Sequence, residues 1–358
     1  MSLFENNRNG EIDFLRFIFA ILILLYHFNN NFKFGLSPHG YIGVEFFFIV
    51  SGFLMAKKVA HKLSETVSPL SISTETWMYT FNRIKSFYMF YLSAIILQII
   101  IRNILINHTS FKKLLGNLLL SIPTFSLTFN GLTSQIGLYV GNTWFLSSLV
   151  IASFILFPLL LQSFDVFSKI VLPIVALVCL SYLGANDLFH SWNKWLGWTY
   201  SGLLRGIADI ALGISMYPLS NYLSDKLSNP DNTQRKTLIT FFKSLCYIVP
   251  IIFALSNEFN HNFALHATLY CAIGVTLSFS NIGYTIKDCI LTRYLGKLAL
   301  PLFIYHDFIR WSCYDYLKHK PITITAFYTM IIGTIIVSVI LMHITEYLSK
   351  LLKGKKFV

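Results

Sequence analysis

The sequence predicts an all-α integral membrane fold, a single embedded domain over residues 1–358 with about ten transmembrane helices and both termini cytoplasmic. Three observations carry this. Hydrophobic residues make up 55% of the chain and charged residues only 12%, where soluble domains carry about 25% charged. Stretches of about 20 mostly apolar residues, the length a crossing helix requires, recur throughout. Lys and Arg gather between those stretches, as cytoplasmic connections do. A water-soluble fold is excluded. The net charge of +12 has no basic cluster suited to a duplex, so it sets membrane orientation and suits an anionic cytoplasmic ligand rather than nucleic acid. The five cysteines lie mostly in apolar stretches without metal spacing and read as core residues, so no metal is expected.

Candidate spans fall near 12–30, 41–56, 84–106, 112–128, 144–163, 167–184, 200–219, 238–256, 263–280, 294–312 and 323–346. The first has no small-residue cleavage site after it and reads as a retained span. Basic residues cluster at 57–85, 226–243, 287–297 and in the tail (Lys350, Lys353, Lys355, Lys356), which assigns these four places to the cytoplasm. A chain inside at both 60 and 230 must cross an even number of times between them, yet five candidates lie there. The 112–128 stretch is the one expected not to cross, because it is short, opens on Lys112 and Lys113 and contains Pro123. It is predicted to be re-entrant or half-buried, facing outside.

The first span carries Arg16 and His27, eleven positions apart, or roughly 16 Å and three turns, so both lie on one helix face. Ionisable groups at bilayer depth usually line a protected path; the alternative is an Arg reaching the headgroups and a His satisfied at a helix end. The second span, GYIGVEFFFIVSGFLM, brings Glu45 to the same outer level as His27, where a carboxylate would fix the imidazole tautomer and raise its basicity. A structural salt bridge would leave the same sequence trace. Gly40, Gly43, Ser51 and Gly52 permit close helix approach.

Between the second and third spans, TWMYTFNRIKSFY is expected to lie as an interfacial helix on the inner leaflet. NTWFLSS places Trp144 at the head of a span, as an interface anchor or a sugar platform. Arg205 and Asp209, four apart, would pair on one helix face. His306 lies about 18 Å from the inner end of its helix, as a pathway group or a capped histidine. No G-x-S-x-G, Walker A, HExxH or Cys/His metal spacing occurs. The available chemistry is acid–base work by His and Glu, which suits acyl transfer from an activated thioester. A transporter or flippase for a glycan or lipid-linked intermediate is the competing class, although no inverted repeat is visible.

The chain resembles the acyltransferase-3 family of integral-membrane acyltransferases. EIDFLRFIFAILILLYH is similar to the family's opening, with Arg and His separated by ten residues. GYIGVEFFFIVSGFLM is similar to its second helix, and FNRIKSFYMFYL, NTWFLSSLVIASFILFPLL and LGKLALPLFIYH to later segments. The resemblance implies transfer of an acyl group, usually acetyl from acetyl-CoA, to a hydroxyl of a surface or lipid-linked glycan at the bacterial cell membrane, with polysaccharide-synthesis machinery as partner. It gives His27 the base role, with Glu45 beside it, and Arg16 a place in the donor path. Arg83 and Lys85 then become candidates for the coenzyme A phosphates, and Trp144, Arg205 and His306 for the acceptor. Leu149 stands where many members have Glu, and Ser86 and Met89 where they have Arg and Pro. These departures point to the capsule or exopolysaccharide branch rather than the branch fused to an esterase-like domain.

Overall fold

The computed structural model describes residues 9–65, 71–128, 141–227, 233–256, 263–279, 282–317 and 320–352. Lys353, Lys355 and Lys356 of the basic tail lie outside the described residues. Every named element within them is a helix.

The first helix, α1 (Gly10–Phe32), starts where the Asn9 side chain accepts from the backbone N–H of Glu11 and Ile12 at 3.0 and 3.2 Å, satisfying two donors that a helix start leaves open. It stops at Lys33, whose φ of 61° is left-handed. Helix α2 (Ile42–Glu65) then packs against α1, and Gly43 is what permits it: a Cβ there would sit 2.8 Å from the Phe19 carbonyl. On its other side α2 meets α9 (Ser201–Leu227). Gly213 lies against the Ile49 carbonyl and Gly52 against that of Ile210, so any side chain would separate the two backbones. Helix α12 (Ile290–Leu317) covers the remaining face of α1, with Gly296 against the Asp13 side chain. These four helices bring the chain's polar interior together.

Helix α3 (Ile72–Leu97) continues as a π-helix (Gln98–Ile106). The basic-aromatic segment expected as a separate interfacial helix is instead the first half of this rod, since no Gly or Pro interrupts Ile72–Leu97. Trp77, Met78 and Phe81 remain exposed along it. The 112–128 stretch divides into α4 (Phe111–Leu120) and α5 (Ile122–Phe125). Ten residues rise about 15 Å, half of a hydrocarbon core about 30 Å thick, so neither piece is long enough to cross. The α5 region is tied down by the Tyr91 hydroxyl, which donates to the Thr124 carbonyl at 2.8 Å, and by Ser147, which donates to the Leu127 carbonyl at 2.5 Å.

The rest comprises α6 (Thr143–Gln162), α7 (Phe164–Val166) leading through a π turn into α8 (Leu172–Ala185), α10 (Thr233–Leu255), α11 (Phe263–Ser278) and α13 (Ile324–Leu352). Five helical stretches among the described residues are long and apolar enough to cross a membrane: Ile72–Ile106, Trp144–Gln162, Phe164–Ala185, Thr233–Leu255 and Ile324–Leu351. Members of the 226–243 and 287–297 basic clusters reach the start of α1. Lys243 forms a buried ion pair with Glu11 at 2.7 Å, the Lys287 backbone abuts Gly10, and Lys297 pairs with Glu346 at 2.7 Å.

Candidate active site

The shared face of α1 opens onto two cavities, one towards each end. Arg16 lines the first, a space of about 250 Å³, together with Arg83 and Ser86 of α3. Apart from Ser51 its other walls are apolar, among them Phe47 and Val50 of α2, Phe145 and Leu149 of α6, and Leu300 and Phe303 of α12. Arg83 is held over Tyr79, donating to its hydroxyl at 2.6 Å. Lys58, read from sequence only as part of a basic cluster, faces the same ring at 5.0 Å. Lys85 does not join them: it is exposed, its Nζ 4.4 Å from the centre of the Phe81 ring. Ser51, read from sequence as a small residue that permits close helix approach, is one of this cavity's lining residues.

His27 lines the second cavity, of about 230 Å³, with Tyr26, Trp144, Trp192, Arg205, Asp307, Arg310 and Trp311 among its walls. The imidazoles of His27 and His306 stack with centroids 5.1 Å apart. His306 is fully buried, and its Nδ1 lies 3.1 Å from the Leu302 carbonyl. A carbonyl only accepts, so Nδ1 carries the proton in the neutral ring and Nε2 keeps its lone pair. Among the described residues, that Nε2 has no hydrogen-bond partner, and neither have Nε of Arg310 and Nε1 of Trp311. A buried polar atom without a partner costs about 1–3 kcal/mol. Arg310 and Trp311 line the cavity, as does Asn142, whose Oδ1 is likewise unpartnered among the described residues, and such a set suits a polar ligand.

The expected partnership of Glu45 with His27 is corrected. Glu45 accepts through Oε1 from Nε of Arg205 at 2.9 Å and also from its Nη2. The carboxylate that lines the same cavity as His27 is Asp307. Asp307 is held from two sides, by the Gly141 N–H at 2.6 Å and by Nη2 of Arg310 at 2.6 Å, while Arg310 Nη1 donates to Asn31 Oδ1 at 2.7 Å. Gly141 is a glycine for this reason, because a Cβ would lie 2.7 Å from both carboxylate oxygens.

The expected pairing of Arg205 with Asp209 is corrected as well. Asp209 sits one turn further along α9, and the α2–α9 contact sets Glu45 level with the guanidinium. Both oxygens of Asp209 lack hydrogen-bond partners among the described residues. Trp144 is buried rather than at an interface belt: its indole stacks on Trp192 with centroids 6.2 Å apart and lies 5.1 Å below the Arg205 guanidinium. Asp307 and Arg310 were not singled out from sequence. Their signal was two charges three residues apart within an apolar span.

The acyltransferase-3 family model, described as an acyltransferase domain, matches residues 9–343, which include every residue lining the two cavities. Comparison with curated proteins and with solved structures gave no match. The matched region covers nearly the whole chain, and the chain belongs to the acyltransferase-3 family, a membrane acyltransferase.

Proposed function

We propose that this protein moves an acyl group, acetyl from acetyl-CoA, from the cytoplasmic side of the cell membrane to a hydroxyl of an extracytoplasmic or lipid-linked glycan. The observation that carries this is the division of α1 between two cavities, cationic with Arg16 and Arg83 at one end and histidine-lined with His27 at the other. The basic residues around the α1 start make that end cytoplasmic, in a topology of ten spans with both termini inside.

Arg16 and Arg83 suit the phosphates of coenzyme A, as guanidinium forks suit phosphate oxygens. Lys85 would act only at the rim. A space of about 250 Å³ is below the roughly 300–1,000 Å³ of whole small-molecule sites, which suits the acyl-pantetheine arm with the nucleotide at the mouth. At the far end, His27 takes the proton of the acceptor hydroxyl as its oxygen attacks the thioester carbonyl. His306 is the stacked alternative, with Nε2 unprotonated. The guanidinium of Arg310 stabilises the oxyanion. The carbon–sulfur bond then breaks, the ester forms, and the proton on the imidazole passes to the departing thiolate. Trp144, Trp192 and Trp311 are indole walls of the cavity against which a sugar ring can pack, with Arg205 fixing Trp144. Glu45 serves in this scheme as the counter-ion of Arg205.

The test is proton NMR of surface polysaccharide from cells carrying wild type, His27→Ala or Arg16→Ala at matched expression. O-acyl signals present with wild type and lost in both variants, with polymer export intact, support transfer. Unchanged acylation with loss of surface polymer would overturn it in favour of transport.

A further inference from the structure

The two cavities share one wall. Phe303 lines both, while Phe47 and Phe145 line only the cationic one. The three rings come from α12, α2 and α6 and close on one another: Phe303 lies 4.9 Å from Phe145 and 6.0 Å from Phe47, and Phe47 lies 6.4 Å from Phe145, centre to centre. On the other side the Phe303 ring is 5.9 Å from that of His306, which is stacked on His27. A single layer of aromatic rings therefore separates the Arg16 cavity from the histidines.

Resting on the acyl-transfer reading, we propose that Phe303, braced by Phe47 and Phe145, sets the size of acyl group that can be transferred and keeps water from crossing between the cavities. For the acceptor oxygen to be deprotonated by His27, the thioester carbonyl must come level with Phe303. Every carbon of the acyl chain beyond it must then fit between these rings or enter a 230 Å³ space that the acceptor already shares. A two-carbon acyl group meets this limit more easily than a longer one. An apolar pocket discriminates about 10–200-fold per methylene. The same layer suppresses the competing reaction, in which water attacks the thioester carbonyl, the carbon–sulfur bond breaks, and free carboxylic acid and coenzyme A thiol are released.

The experiment uses inverted membrane vesicles from the native host, bearing wild type, Phe303→Ala, Phe303→Leu or Phe145→Leu at matched levels. Each is given radiolabelled acetyl-, butyryl- or hexanoyl-CoA, and ester-linked label in the glycan is separated from free acid. The expected result is a wild-type preference for acetyl, with the butyryl-to-acetyl transfer ratio rising at least tenfold in Phe303→Ala, less in the leucine variants, and free acid rising in parallel. A ratio is unaffected by general damage, which lowers both rates together. If Phe303→Ala does not accumulate, the two leucine variants decide by the same ratio. An unchanged ratio in folded variants, or a wild type that takes hexanoyl as readily as acetyl, overturns the septum and leaves acyl transfer standing. No transfer from any donor by wild type overturns the proposed function itself, and this inference with it.

Discussion

Replacing Arg205 with Met should destabilise the bundle strongly, and replacing Glu45 with Leu at the same time should recover at least half of the loss. The Arg205 and Glu45 side chains are 2% and 0% exposed. The guanidinium gives two hydrogen bonds to Glu45 Oε1 and one, at 3.1 Å, to the Ser191 carbonyl. In Arg205→Met the carboxylate stays buried with none of those donors. Breaking a buried pair in this way costs about 3–5 kcal/mol, whereas replacing both charges by apolar groups is often neutral. At about 2 °C per kcal/mol for a large chain, the apparent Tm should fall by on the order of 6–10 °C. The assay is fluorescence-monitored unfolding of the detergent-solubilised protein at one scan rate, because membrane proteins rarely unfold reversibly. Equal losses in the single and double variants would refute the reasoning. They would mean that Arg205 stabilises through its packing on Trp144 rather than through charge.

Asp209→Asn should leave Tm unchanged or raise it, measured in the same way, since it removes a buried carboxylate whose oxygens have no hydrogen-bond partners among the described residues. Gly141→Ala should cost about 1–3 kcal/mol by overpacking against Asp307, whereas Gly116→Ala in α4, where a Cβ would meet nothing within 4 Å, should gain about 0.5–1 kcal/mol; thermal unfolding separates the two. Arg83→Ala should raise KM for acetyl-CoA about tenfold or more in inverted vesicles, because hydrogen bonds to charged groups contribute about 1.5–3 kcal/mol. Lys85→Ala should change it by less than about threefold, as exposed charges contribute little.

The lengthwise features of this fold were legible in the sequence, and the sideways ones were not. Helix periodicity alone placed Arg16 and His27 on one face of α1, and the two cavities open along that face. The brevity of 112–128 and its Pro123 marked it as a stretch that does not cross, although its division into two short helices was not read from sequence. Which side chain meets which across a helix pair depends instead on crossing geometry. Glu45 and His27 share a level in the bundle, yet the close α2–α9 contact at Gly52 and Gly213 turns Glu45 towards Arg205. Asp307 follows His306 directly, and neighbours on a helix point about 100° apart, so nothing in the pattern linked it to the His27 cavity. The link is the Gly141 N–H at the head of α6, which no spacing rule reaches.

The same crossing geometry explains why the residues around His27 come in charge pairs. An imidazole in an apolar interior is best served by balanced charges nearby, since an unbalanced one would demand solvation that the interior lacks. Arg205 and Arg310 both line this cavity, and each has its own carboxylate, Glu45 at one wall and Asp307 at the other. Among the described residues that line the cavity, the buried side-chain atoms without partners are Oδ1 of Asn142, Nε of Arg310 and Nε1 of Trp311, one acceptor and two donors. A hydroxyl complements that set, since it can donate to the acceptor and accept from a donor, whereas a carboxylate or phosphate would satisfy only the donors. The unmet hydrogen-bonding capacity of the cavity therefore suits an uncharged, hydroxyl-bearing acceptor better than an anionic one.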